Sequence, residues 1–222
     1  MKKLDAGLRI VLFALLTGAV AAAFPQPPRE RALSRDEALR SLASPEATVR
    51  AEAVVWIANR GAMADAGLLH ERLRDESGLV RSYAEQGLWL LWNRSGDAGI
   101  DRQMARATEH VQAGQLDEAV PLLTEIIQKK PGFAEAWNRR ATVYYLAGEY
   151  RKSIADCDQV LKRNPKHFGA LSGLGQIHMK LEQYEESLKW LRRALEVNPN
   201  MTGVEINIHQ VEELLKKKRI AT

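Results

Sequence analysis

"AEAWNRRATVYYLAGEYRKSIADCDQVLKRNP", residues 134–165, holds two helices and the break between them. Trp137, Ala141, Tyr144 and Tyr145 recur at the three-and-four spacing of one helical face. Gly148 interrupts that run, a second helix is predicted from about Tyr150 to Arg163, and Pro165 stops it. Working outward, Pro131, Pro165 and Pro199 lie 34 residues apart each time, a period that signals stacked helical units. The other columns agree on that period. Ala107, Ala141 and Gly175 share one; Ala119, Ser153 and Ser187 share another; Leu123, Cys157 and Leu191 share a third. Gly114 and Gly148 align, with Glu182 in the third copy.

A 34-residue helix–turn–helix unit with small residues in these columns resembles the tetratricopeptide repeat, over residues 100–201. The middle copy carries the resemblance best, with Trp137, Ala141, Tyr144, Gly148, Tyr150, Ser153, Val160 and Pro165 on the consensus columns. The first copy has Gln103 and His110, and the third Leu171 and His178, where Trp and Tyr are usual. The resemblance implies that the first helix of each copy lines a concave groove. The positions that would line it for a peptide are Met104 and Thr108, then Asn138, Thr142 and Tyr145, then Ser172, Gln176 and Met179. Chaperone-binding members of the family use a basic clamp there. This chain has Met104, Thr108, Asn138 and Ser172 at those places with only Arg139 nearby, so chaperone-tail binding is not expected. The phrases "WNRSGD" and "HFGALSGLG" are similar to a group of exported proteobacterial tetratricopeptide proteins, which implies fold and compartment but no activity.

The first half repeats at 31 residues: Val49-Arg50 matches Val80-Arg81, Ala53 matches Ala84, and Ile57 matches Leu88. This pattern resembles HEAT repeats, with partner helices near residues 35–42 and 64–74. The expected fold is therefore all-α: a right-handed α-solenoid of two HEAT-like repeats at 33–99, three tetratricopeptide repeats at 100–201, and a capping helix with a basic tail at 202–222. Val204, Ile208, Val211, Leu214 and Leu215 are expected to form the face of that capping helix that covers the last repeat.

The N-terminus reads as a cleavable export signal at 1–23. Lys2, Lys3 and Arg9 precede an apolar run from Ile10 to Val20, and Ala21-Ala22-Ala23 offers a small-residue cleavage site. Three prolines in 24–32 make an extended linker. The expected compartment is the bacterial periplasm, with no integral span in the mature chain; an uncleaved N-terminal anchor is the alternative. The formal net charge of +4 is small for 222 residues, and the basic run Lys216–Arg219 closes a helix, so no nucleic-acid partner is expected.

The search for chemistry excludes more than it finds. Gly169, Gly173 and Gly175 follow no strand, so they do not form a phosphate loop, and Ala170 breaks the nucleophile-elbow pattern around Ser172. Gly175 is explained by the small-residue column; Gly169 and Gly173 either let something approach the backbone or are simply tolerated in the helix. The five histidines show no metal-ligand spacing. Cys157 sits in an apolar column and is expected to be an inert buried thiol. No catalytic residue, metal or cofactor is expected. The functional expectation is a non-catalytic scaffold binding a peptide segment of another protein; the alternatives are a self-associating structural protein and, behind it, a HEAT-type enzyme.

Overall fold

The computed structural model describes residues 33–220, so the expected signal peptide and linker lie outside the described residues. The described chain is all-α, with no strand. Two compact units divide it: residues 33–94 with Asn198–Asn200, and Ser95–Val197 with 201–220.

The N-terminal unit contains α1 (Arg35–Ser41), α2 (Ala47–Arg60), a 3-10 turn (Met63–Asp65), α3 (Ala66–Arg72) and α4 (Gly78–Asn93). Ser34 opens α1 with a reciprocal capping box to Glu37. The 31-residue repetition has a physical cause. Arg50 Nη1 donates to the carbonyls of Ser44 and Pro45 at 2.8 and 2.9 Å, and Arg81 Nη1 donates to those of Asp75 and Glu76 at 2.9 and 3.0 Å. Each arginine thus reaches back five and six residues to tie down the turn before its own helix. Arg50 also grips Asp75 through two 2.8 Å bonds, which hold the Asp75 carboxyl below its usual range. A Cβ on Gly87 would stand 2.9 Å from both Ala58 and Leu69, so only glycine lets α4 settle against α2 and α3.

The C-terminal unit contains three helix pairs, α5/α6 (Ala98–Gln112, Leu116–Lys129), α7/α8 (Ala134–Leu146, Tyr150–Arg163) and α9/α10 (Phe168–Lys180, Tyr184–Val197), then α11 (Thr202–Ile220). The turn inside each pair is the same device. Gly114, Gly148 and Glu182 take left-handed φ values of 74°, 76° and 57°. The next amide then bonds back six residues' span: Gln115 to His110 at 2.8 Å, Glu149 to Tyr144 at 2.8 Å, Gln183 to His178 at 2.9 Å. Two serines lock the second and third pairs. Ser153 Oγ donates to Ala141 O and Ser187 Oγ to Gly175 O, each at 2.7 Å.

Two sequence expectations change in detail. The column holds alanine at 107 and 141, but a Cβ on Gly175 would lie 2.5 Å from Leu191 Cγ and Cδ2, so in the third pair even alanine intrudes. Leu214 does not share the buried face of α11. Val204 and Val211 are buried, with Ile208 and Leu215 packed beside them, whereas Leu214 is 39% exposed. One residue is 100° of helix, enough to carry Leu214 off the face that Leu215 occupies.

Candidate peptide-binding face

The eight positions expected to line a groove all fall on the first helices, α5, α7 and α9, but they do not gather into one site. Asn138, Thr142 and Tyr145 of α7 share a narrow cleft with Cys157 of α8 and with Gly173 and Ile177 of α9. Met104 belongs instead to the core between α5, α6 and α7, with Leu123 and Ile126. Thr108 and Met179 are half-buried, and Ser172 is buried. Three of the eight thus line the cleft, and Gly169, Gly173, Cys157 and Ile177 join them there. The two unexplained glycines were the signal in the sequence for this cleft: a Cβ on Gly173 would meet only Cys157 Sγ, at 3.9 Å.

The hydroxyls are turned inward. Thr108 Oγ1 donates to Met104 O at 2.9 Å, Thr142 Oγ1 to Asn138 O at 3.0 Å and Ser172 Oγ to Gly169 O at 3.0 Å, all within their own helices. Tyr145 is a core residue as much as a lining one. It packs with Ala141, Cys157, Leu174 and Ile177, and burial, then the neighbouring Tyr150, pushes its phenol up to about 12. Gln176 is 5% exposed and sits one repeat beyond Thr142.

At the start of α7 a charged group was missed by the sequence. Glu135 is 1% exposed and His167 is fully buried. Glu135 Oε1 accepts from Arg139 Nε at 2.8 Å, and Oε2 lies 3.2 Å from His167 Nε2. His167 Nδ1 accepts from the Ala170 amide at 3.1 Å, capping α9, so Nε2 carries the hydrogen toward Glu135. Burial alone would raise the Glu135 carboxyl; Arg139, His167 and Asn138 outweigh it and hold the carboxyl below its usual range. Charged residues are rarely buried unless paired, but nothing in their 32-residue separation marks Glu135 and His167 as partners.

Cys157 is buried, and desolvation followed by Asp156 and Asp158 pushes its thiol up, away from the thiolate a nucleophile needs. His110 and His178, two repeats apart, place Nδ1 at 2.8 and 2.6 Å from the Oε1 of Gln115 and Gln183 and brace the turns. Among the described residues no group of three His, Cys, Asp or Glu could hold a metal ion, and no helix is long and apolar enough to cross a membrane.

Comparison with known proteins agrees with the geometry of the C-terminal unit. The tetratricopeptide repeat family model matches residues 134–167 and 169–201. The first helix pair, outside that match, has the same left-handed turn and the same backbone bond across it. No curated protein matches the chain. Among solved structures, the first TPR domain of the human RPAP3 protein is similar at 22% identity and a TM-score of 0.52, over 54% of this chain and 94% of that one. The Sgt2 TPR domain from Aspergillus fumigatus is similar at 16% identity and 0.53, over 55% and 83%. The first TPR of Spaghetti (RPAP3), bound to the HSP90 peptide SRMEEVD, is similar at 21% identity and 0.51, over 53% and 93%.

Proposed function

We propose that the face built by α7 and α9 binds an extended segment of a partner protein, and that the chain is a non-catalytic interaction scaffold. Tetratricopeptide repeats at 134–201 support the class, and a similar domain carries a bound peptide. The observation that carries the reading is the narrow cleft between α7 and α9, beside which Gln176 stands nearly buried on a lining column. A carboxamide offers one acceptor and two donors. An extended peptide presents N–H and C=O groups along its length, so such a side chain holds the backbone without reading its sequence. The glycines at 169 and 173 lower the wall over which that backbone approaches.

The test is the double change Asn138→Ala with Gln176→Ala. Asn138 also bonds the buried Glu135, at 3.3 and 3.4 Å, so Gln176→Ala alone is the companion variant that leaves that group intact, and circular dichroism checks that the helices stay formed in both. Recovery of the natural partner from cells falls about tenfold, as expected for loss of about 1.4 kcal/mol of binding; unchanged recovery contradicts the assignment.

The chain is further proposed to act in the periplasm after removal of residues 1–23, with HEAT-like repeats at 33–99. The basic, apolar and small-residue order of that segment supports export. N-terminal sequencing of the protein isolated from cells is expected to begin at Phe24, and a chain that retains Met1 contradicts cleavage.

A further inference from the structure

The burial of the lining columns is uneven. Along the column of Thr108, Thr142, Gln176 and Gln210, the two middle residues are 6 and 5% exposed, whereas Thr108 is half-buried and Gln210 is open to solvent. In the neighbouring column Asn138 and Ser172 are each 4% exposed and Ile206 is 54% exposed. On α9 every residue of 168–177 is buried. A helix at the surface of a globular protein leaves one side to water, and α9 does not.

Two sides of α9 can be told apart by the 100° turn of each residue. Leu171 meets the core of α10 and α11, Leu174 and Ile177 meet Ala141, Tyr145 and Cys157, and a Cβ on Gly175 would strike Leu191. These residues lie on the side that packs within the repeats. Gly169, Ser172, Gly173 and Gln176 follow one another at i, i+3, i+4 and i+7, so they share the opposite side, which continues the lining columns. That side is polar and glycine-rich, yet it is as dry as the side that packs.

We propose that, before residues 1–23 are removed, the apolar run Ile10–Val20 lies over the α7/α9 face, and that its removal opens the face to the partner segment. This rests on the proposed peptide-binding role of that face. Apart from the last two residues, 1–32 is the part of the chain outside the described residues, and Ile10–Val20 is its continuous apolar stretch. The face suits such a cover. Thr142 Oγ1 and Ser172 Oγ already donate to carbonyls of their own helices, so an apolar segment leaves neither hydroxyl unpaired. Glu135 is paired with Arg139 and His167. Gly169 and Gly173 carry no Cβ, so the cover can come close to the backbone of α9. Eleven residues reach about 16 Å even when coiled, enough to cross two helices packed about 8–10 Å apart. The twelve residues 21–32 tether the run to Leu33, and a short flexible tether gives a roughly millimolar effective concentration. A free partner segment must exceed that to enter, until cleavage removes the competitor.

The test uses the full 222-residue chain, made by cell-free synthesis so that residues 1–23 stay attached, with a photoreactive residue at Met179. Light is expected to give a product of monomer mass in which position 179 is joined to a residue within 10–20; the same group at Lys162, exposed on α8, gives none. Leu12→Asp with Leu16→Asp is expected to cut the yield about tenfold, with circular dichroism unchanged because neither residue belongs to α1–α11. No adduct within 10–20, or a yield that the two aspartates leave unchanged, overturns the inference. Adducts that join two chains overturn it in favour of a second copy, and adducts to residues 35–93 overturn it in favour of the N-terminal unit. None of these results touches the proposed function, which partner recovery from cells tests on the mature chain. Should Asn138→Ala with Gln176→Ala leave that recovery unchanged, the proposed function falls and the masking role falls with it.

Discussion

Glu182 shows how one backbone angle can outweigh a side chain's preference. It holds the left-handed turn at φ 57°, where the other two copies have glycine. An L-residue there costs about 1–2 kcal/mol, and the turn persists because the amides of Glu182 and Gln183 bond Met179 and His178 at 3.1 and 2.9 Å. Glu182→Gly is expected to stabilise the C-terminal unit by about 1 kcal/mol, read as a higher urea midpoint; a lower midpoint would show the glutamate side chain contributing more than the angle costs. Gly175 behaves oppositely. Gly175→Ala puts a methyl 2.5 Å from Leu191 Cγ and is expected to cost about 1–3 kcal/mol in the same assay. The alignment of Glu182 with two glycines was legible in the sequence because a turn constrains one residue. The closeness of α9 to α10 was not, because it depends on how far Leu191 reaches from another helix.

Within the helix pairs, short polar links set the register. Ser153 and Ser187 each give one bond to the carbonyl of the small residue opposite. Replacing either with alanine is expected to cost about 1 kcal/mol, and the two losses should add because the sites share no partner. The Glu135 group makes the junction of α7 with α9 sensitive to acid. Its carboxyl is held below the ordinary range in the folded chain, so its contribution is present above the unfolded carboxylate value of about 4.3. That contribution is lost as pH falls through the lower folded value. Glu135→Gln is expected to destabilise by about 3 kcal/mol at pH 7 and to flatten the fall in stability below about pH 4; a variant that keeps the slope would place the sensitivity in other carboxylates. The periods of 34 and 31 announced the helix pairs because capping and small-residue packing recur in every copy. The buried charges remained hidden because a pairing across 32 residues leaves no periodic trace. Leu214 falls off the buried face although its apolar character sorts it with Leu215; following the 34-residue columns past Pro199 places it with Lys180, exposed on α9.

At the scale of the molecule, the functional claim rests on one face of the C-terminal unit. The lining positions could be found from the repeat columns, but their burial could not, since it depends on neighbouring helices. Tyr145 is a lining position by its column, but in the folded chain it is core, and Met179, half-buried on the same column, is the better probe. The direct measurement is crosslinking in living cells from a photoreactive residue at Met179, with Lys162, exposed on α8, as the control, and identification of the adducts by mass spectrometry. One dominant partner protein, captured from Met179 and not from Lys162 through a single segment of its sequence, is the predicted result. Equal capture from both positions, or adducts of the chain with itself alone, would contradict a peptide-binding face on α7 and α9.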